Sequence, residues 1–203
     1  MKQVLKTWFK SSLVIRLILG VILLGTGPVA LASGNAASQP IVSIAESGKS
    51  VRTVSAKITI DAPVSAVWQT VTNYNAMTSY MPGYQQSRVA QNNGSSKLVQ
   101  FGLKVSSLLP VFNYQARVLE NKAAHNVQIQ RVSGDFKDFS ATYRLTPGEN
   151  NQTILVYTLT IDLDGIPAIG ATQVLKSNTV KSMVAVRQQA VKNHKRSLVA
   201  NAG

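Results

Sequence analysis

The feature that most constrains the fold is a series of six segments with alternating hydrophobicity, which occupies residues 85–163 with only short turns between them. In the clearest segment, KLVQFGLKV, apolar residues recur at every second position: Val99, Phe101, Leu103 and Val105. Such alternation is typical of strands that bury one face. Consecutive strands joined by short turns pair in antiparallel fashion, so the pattern predicts an antiparallel sheet.

A seventh strand precedes this series and leads directly into a helix. The segment VRTVSAKITI, residues 51–60, alternates in the same way. Residues 61–63, Asp-Ala-Pro, then change the period, because Pro is favoured in a first helical turn and Asp61 could accept free backbone N–H groups there. The apolar spacing that follows predicts a helix that buries Trp68 against the sheet. Met-Pro-Gly at residues 81–83 ends a second short helical piece.

The longest helical stretch follows the last strand, from about residue 168 to residue 196. It contains no internal Pro, and its apolar residues form one stripe: Ala171, Leu175, Met183, Val186 and Ala190. A curved antiparallel sheet of about six to seven strands wrapped around this helix would bury both apolar faces. The predicted fold class is therefore α+β, with room for an apolar ligand between the sheet and the helix.

Two parts of the chain resemble a known family. The segment ITIDAPVSAVWQTVTNYNAMTSYMPG (58–83) resembles the opening of the START-like (SRPBCC) superfamily, of the polyketide cyclase/dehydrase type and more closely its coenzyme Q-binding branch. Residues 134–147 and 153–162 resemble the late strands of that branch. The resemblance covers residues 51–196. It implies a helix-grip fold with an internal pocket for a lipid-like, quinone-like or polyketide-like molecule.

Little in the sequence points to catalysis. The chain has no Cys and only two His, His125 in a polar turn and His194 in a basic helix end, which gives no set of metal ligands. Asp135 and Asp138 are the closest carboxylate pair, but a spacing of three in a strand directs them to opposite faces. We therefore expect no cofactor and no metal, and we expect binding and delivery of a ligand rather than its chemical conversion.

Ligand contacts are expected from aromatic and Met side chains on the predicted inner faces. The candidates are Tyr80, Met81, Phe101, Tyr114, Phe139, Tyr143, Tyr157 and Met183. Arg131 could also point inward. A buried Tyr needs a hydrogen-bond partner, which a ligand carbonyl could supply to Tyr143 or Tyr157. Two other functions stay open: an aromatase or cyclase acting on a polyketide-like substrate, and a basic surface-interaction module without a ligand.

The N-terminal region has the pattern of a signal peptide. A basic leader precedes the apolar run LILGVILLGTGPVA at residues 17–30, and the small residues Ala30 and Ala32 suit signal peptidase. We expect residues 1–32 to be removed near Ala32, which predicts export to the periplasm or another extracytoplasmic compartment. The alternative is an uncleaved N-terminal segment that anchors the protein in a membrane.

The rest of the chain divides into three parts. Residues 33–50 are small and polar and predict a disordered linker. Residues 51–197 form the predicted START-like ligand-binding domain, and residues 198–203 form a tail. We expect this protein to be a monomer.

The chain is basic throughout. Its formal net charge is +13, with 21 Lys and Arg against eight Asp and Glu. Four of the basic residues lie in the predicted signal peptide: Lys2, Lys6, Lys10 and Arg16. The rest of the chain then has a net charge of about +9. The densest basic cluster, KNHKR at 192–196, complements the dipole of a helix end, so no nucleic-acid partner is expected.

An apolar segment interrupts the predicted sheet. In VSSLLPVF, residues 105–112, Pro110 cannot occupy a central strand. The segment is either a strand bend within the core or an apolar loop. As a loop, Leu108 and Leu109 could contact a membrane while the basic surface meets anionic headgroups.

Overall fold

The computed structural model describes residues 38–166 and 170–201, so the predicted signal peptide lies outside the described residues. This part of the chain forms eight strands, two α-helices and one 3-10 helix, in the order β1 (Ile41–Ser47), β2 (Val51–Ile60), α1 (Val64–Thr72), the 3-10 helix (Tyr74–Ser79), β3 (Tyr84–Asn93), β4 (Ser96–Leu103), β5 (Phe112–Asn121), β6 (Asn126–Gly134), β7 (Asp138–Pro147), β8 (Thr153–Asp162) and α2 (Ala171–Ala200).

All eight strands belong to one curved antiparallel sheet in the order β1-β2-β8-β7-β6-β5-β4-β3. Strands β3 to β8 are sequential neighbours, which the short turns between them require. Strand β2 then pairs with β8, with Ala56 opposite Tyr157, so the first and last segments of the predicted series meet. Helix α2 packs across the concave face. The structure confirms the α+β helix-grip fold.

The sheet has one strand more than the seven predicted. Strand β1 occupies residues 41–47, inside the segment predicted to be a disordered linker. It pairs with β2 in a hairpin, and Val42 packs partly against the core. An ion pair of 3.1 Å between Arg52 and Glu46 joins the two strands. Only Val42 and Ile44 of β1 are partly buried and Ile41 is 73 % exposed, so the small polar residues around them dominated the composition.

Both helices differ slightly from their predicted bounds. Helix α2 ends at Ala200, inside the predicted tail. Pro63 is the N-cap residue of α1, and no side chain caps that helix. The predicted capping role of Asp61 was therefore wrong: its carboxylate accepts a hydrogen bond from the Gln152 side chain instead.

None of the helices in the described ranges combines the length and apolar character that a membrane span requires.

A continuous core fills the end of the sheet near α1. The inward residues of β2 predicted from alternation are all buried: Val54, Ala56, Ile58 and Ile60. Trp68 is 8 % exposed and belongs to the same cluster, which confirms its prediction as a core anchor. Helix α1 also packs on α2, where the Asn193 amide donates a hydrogen bond of 3.2 Å to the Thr70 hydroxyl. This end of the molecule is closed.

Candidate ligand-binding cavity

A cavity of about 910 Å³ lies between the concave face of the sheet and the N-terminal half of α2. Its volume is in the upper part of the range of roughly 300–1,000 Å³ that small-molecule sites occupy. Most lining side chains are apolar or aromatic. Helix α2 contributes one side of the wall, from Ala171 to Val186, and beyond Val186 the helix packs against the core.

The register of β7 and β8 defines the floor of the cavity. Three successive cross-strand pairs line it: Phe139–Ile161, Ala141–Leu159 and Tyr143–Tyr157. The next pair, Leu145–Leu155, is fully buried in the core and does not reach the cavity. The floor therefore lies at the level of Tyr143 and Tyr157. It is about 13 Å from Phe139 along the strand, since a strand rises about 3.3 Å per residue.

The mouth of the cavity is bordered by residues 104–111, here called the mouth loop. The Lys104 backbone N–H donates a hydrogen bond of 2.8 Å to the Gly83 carbonyl. The Asn178 side-chain amide, on α2, donates one of 3.0 Å to the Val105 carbonyl. Gly83 has a φ of +81°, and a Cβ there would lie 2.5 Å from the Lys104 carbonyl oxygen, so only Gly fits this close approach. The base of the mouth loop is thus held from two sides.

The tip of the mouth loop exposes one large apolar side chain. Leu108 is 92 % exposed, whereas Leu109 is half-buried and packs against the core. Phe112, at the end of the apolar segment, is buried at the start of β5. Of the two alternatives left open by the sequence, the structure shows the loop and not the strand bend, because β4 ends at Leu103 and β5 begins at Phe112.

Five of the six Tyr of the chain line this cavity, and the sixth, Tyr80, donates a hydrogen bond to the Thr70 carbonyl. The Tyr74 hydroxyl donates a hydrogen bond of 2.8 Å to Glu120, and the hydroxyls of Tyr84 and Tyr114 are 3.4 Å apart. The Tyr143 and Tyr157 rings stack at a tilt, with centroids 4.9 Å apart. Neither of their hydroxyls has a hydrogen-bond partner within residues 38–166 and 170–201.

Burial raises the pKa of every one of these Tyr hydroxyls, so all six stay protonated at physiological pH. For Tyr74 the negative charge of Glu120 adds to the effect of burial. The hydroxyls that face the cavity are therefore neutral groups that can donate a hydrogen bond, and they are weak acids.

The structure brings seven of the eight predicted contact residues together in the cavity wall: Met81, Phe101, Tyr114, Phe139, Tyr143, Tyr157 and Met183. Their role in ligand binding stays a prediction. Tyr80 does not line the cavity, because its hydroxyl donates a hydrogen bond of 2.8 Å to the Thr70 carbonyl. Arg131 does not point inward either. Its guanidinium holds the carbonyls of Gly134 and Phe136 in the turn after β6.

Other lining residues were missed by the sequence reasoning. Ile129, Leu159 and Ile161 share the inner faces of strands with predicted residues, so the same alternation could have added them. Asn178 and Thr179 lie three and four residues after Leu175 on α2, a spacing that places them on its inner side. No local pattern marks Lys104, which reaches the wall only because the mouth loop folds back.

Charge is distributed unevenly around the cavity. The lining includes two cations, Lys104 and Lys181, and among the described lining residues none is Asp, Glu or His. Helix α2 carries six basic residues and no acidic residue: Lys176, Lys181, Arg187, Lys192, Lys195 and Arg196. The Lys104 ammonium donates a hydrogen bond to the Leu109 carbonyl within the mouth loop, and Lys181 is exposed on α2, whereas Tyr143 and Tyr157 at the floor are uncharged.

The His and Asp residues considered from sequence do not line the cavity. The His125 ring packs edge-on against Trp68, with centroids 6.4 Å apart, and His194 is near the end of α2. Asp135 accepts a hydrogen bond of 2.7 Å from the Asn113 backbone N–H. In the described part of the chain no three His, Cys, Asp or Glu side chains cluster as metal ligands would.

Comparisons with known proteins agree with this geometry. Residues 60–185 match the protein family described as polyketide cyclase / dehydrase and lipid transport. None of the curated proteins matches the sequence.

Several solved structures share the fold at low identity. The Zhui aromatase/cyclase from Streptomyces superposes with a TM-score of 0.63 at 16 % identity, over 70 % of this chain and 94 % of that one. A START superfamily protein from Mycobacterium smegmatis superposes with a TM-score of 0.59 at 14 % identity, over 69 % of this chain and 97 % of that one. The human StarD13 (DLC2) lipid transfer and protein localization domain superposes with a TM-score of 0.57 at 12 % identity, over 73 % of this chain and 88 % of that one. At these identities the likeness concerns the fold alone.

Proposed function

The chain belongs to the polyketide cyclase / dehydrase and lipid transport family, and from this membership we propose that it binds one hydrophobic small molecule and carries it without converting it. The observation that carries the proposal is the cavity of about 910 Å³ behind the mouth loop. An apolar wall removes the ligand from water, and burial of apolar surface is the main source of affinity in such a site. The few polar groups then set its orientation.

Carriage is favoured over cyclisation by the chemistry of the wall. A cyclase needs a group that removes a proton and a group that returns it. The described lining offers no carboxylate and no imidazole, and burial raises the pKa of the Tyr hydroxyls further from neutrality. The aromatase or cyclase alternative therefore lacks a general base among these residues.

The ligand class follows from the family and the cavity together. The family description covers both polyketide chemistry and lipid transport, and the chain resembles a coenzyme Q-binding branch. A lipid, a quinone or a polyketide-like molecule each combines a long apolar part with a few oxygen atoms. The cavity wall, apolar with scattered hydroxyl groups, suits that combination.

We propose further that the ligand is exchanged at a membrane surface. Leu108 projects from the mouth loop, Lys104 and Lys181 line the cavity, and Lys176 follows the lining residue Leu175 on α2. An apolar tip would enter the headgroup region while the cations meet anionic lipid. The protein would act there as a monomer and without nucleic acid.

The proposed location is outside the cytoplasm. Residues 1–32 have the pattern of a cleaved signal peptide, and the protein has no Cys to oxidise. Retention of the N-terminal segment as a membrane anchor is the alternative. Both forms would present the cavity to the same compartment.

Native mass spectrometry of the protein, recovered from its producing cell without detergent, tests the function. We expect a stoichiometric apolar adduct that solvent extraction releases unchanged. We also expect the mass of a chain that begins just after Ala32. A released molecule that the protein converts to a cyclised product on incubation would support the enzyme. A clean apo mass, with no uptake from a lipid and quinone extract, would favour the surface-interaction module and contradict the carrier.

A further inference from the structure

Two polar groups at the floor of the cavity have no hydrogen-bond partner among the described residues. Tyr143 is 9 % exposed, and Tyr157 lies directly opposite it in the register of β7 and β8. The other four Tyr hydroxyls all have hydrogen-bond partners within the protein. No described side-chain polar atom is both fully buried and unpartnered, so the two free hydroxyls are reached from the cavity.

The sheet around these two side chains is apolar apart from the Tyr84 hydroxyl. Ile129 and Leu159 both pair with Ala141, two residues from Tyr143. A hydroxyl in such a place loses its hydrogen bonds to water when a ligand fills the cavity, and leaving it unpaired then costs free energy. Both phenols are neutral because burial raises their pKa, so each can donate a proton to a hydrogen bond.

We propose that Tyr143 and Tyr157 form a floor subsite that donates two hydrogen bonds to one uncharged carbonyl oxygen at the inner end of the ligand. The inference rests on the proposed function and names what the ligand must carry. A carbonyl oxygen has two lone pairs and can accept from both hydroxyls at once. A carboxylate or phosphate would need a cation, and none of the β7 and β8 pairs that form the floor contains Lys or Arg.

The mouth and the floor therefore select different ends of the ligand. The ligand enters with its carbonyl end first, and that end travels about 13 Å past Phe139 before it meets the two hydroxyls. Its apolar body lies along the wall between them. An apolar molecule of equal size without the carbonyl would leave both hydroxyls unpaired and would bind less tightly.

A matched pair of probes tests the subsite: decyl-1,4-benzoquinone and decylbenzene, which share a tail and differ in the carbonyl groups. Calorimetric titration of the full protein should give tighter binding of the quinone. The Y143F and Y157F substitutions should each weaken quinone binding about tenfold and leave decylbenzene unchanged. The Y80F substitution is the matched control, because it also removes one Tyr hydroxyl, but Tyr80 does not line the cavity and donates to the Thr70 carbonyl. It should leave both affinities unchanged.

The infrared carbonyl band of the bound quinone gives a second readout, because this band would not shift if the two Tyr had only a structural role. In the wild-type complex the band should lie at lower wavenumber than in an apolar solvent. In the Y143F/Y157F double variant it should return to its wavenumber in the apolar solvent. Equal affinities for both probes in every variant, with an unshifted band, would overturn the subsite while the carrier proposal stands. Failure of the wild type to bind either probe, together with a clean apo mass, would overturn both.

Discussion

At the scale of single residues, the Tyr hydroxyls differ in whether the described part of the protein supplies a hydrogen-bond partner. Tyr74 donates to Glu120, whose carboxylate also forms an ion pair of 2.7 Å with Lys97. This chain of contacts ties the 3-10 helix to strands β4 and β5. The hydroxyls of Tyr143 and Tyr157 form no hydrogen bond of this kind in the described structure. The same residue type therefore stabilises the wall at one place and offers free hydrogen-bond donors at another.

The raised pKa values predict how stability depends on alkaline pH. Below about pH 10 the phenols are protonated in both folded and unfolded chains, so they cause no pH dependence there. Above it, the unfolded chain loses protons that the folded chain keeps, and the free energy of unfolding falls as pH rises. We expect tyrosinate absorbance to appear only together with loss of the near-ultraviolet circular dichroism. A gradual titration centred near pH 10 in a protein that stays folded would contradict this.

At the scale of secondary-structure elements, one glycine sets the path of the chain beside the cavity. Gly134 has a φ of +117°, and a Cβ there would lie 2.3 Å from the Asn113 carbonyl oxygen and 2.4 Å from the Tyr114 Cα. The pairing of β5 with β6 also shifts register between Gln115 and Ala116. The close approach directs the chain into the turn that brings Phe136 against the Tyr114 ring, with centroids 5.4 Å apart.

The Gly134→Ala substitution should lower the free energy of unfolding by about 2–4 kcal/mol, because it combines a backbone clash with a strained φ. The matched control is Gly94→Ala. Gly94 also has a positive φ, of +68°, but a Cβ there meets nothing within 4 Å, so we expect a loss of only about 1–2 kcal/mol. Urea denaturation monitored by circular dichroism measures both. Equal losses for the two variants would show that the close approach at Gly134 is not tight.

Much of the fold was predictable because alternation survives in the sequence wherever one face of a strand is buried. The side-chain directions and the cavity that were not predicted depend on features that the alternation of apolar and polar residues does not determine. Arg131 follows Val127 and Ile129 on the same predicted face, yet the turn after β6 captures its guanidinium with backbone carbonyls. Tyr80 is beyond the 3-10 helix, and its direction depends on a long-range bond to Thr70. The cavity itself follows from curvature and register, which no local segment specifies.

At the scale of the whole molecule, apolar and cationic features coincide at one end. The mouth loop with Leu108 at its tip borders the same cavity as Lys104 and Lys181. Helix α2 continues the positive surface over 30 residues without a single acidic side chain. Each Lys or Arg near an anionic membrane contributes about 1 kcal/mol, so several acting together suffice for reversible docking.

Vesicle co-sedimentation tests this docking with one substitution. We expect wild-type protein to bind vesicles that contain anionic lipid, and binding to fall as salt rises because exposed charges are screened. Leu108→Ser should weaken binding severalfold without changing the melting temperature. Leu109 is less suitable, since it also packs against the core. The control is Leu119→Ser, on β5, where the side chain is 38 % exposed and does not line the cavity. Unchanged binding of the Leu108 variant would exclude the mouth loop as the docking element.

The position of the floor has a consequence for how such a molecule can change. Strands β7 and β8 each have a segment that faces the cavity and a segment that faces solid core, with the boundary at Tyr143 and Tyr157. Substitutions of half-buried lining residues such as Leu159 and Leu163 would alter the shape offered to a ligand, whereas Leu145 and Leu155, beyond the boundary, contribute to folding alone. Ligand preference could therefore change with little loss of stability at the half-buried positions, but not at Phe139 or Ile161, which also belong to the core.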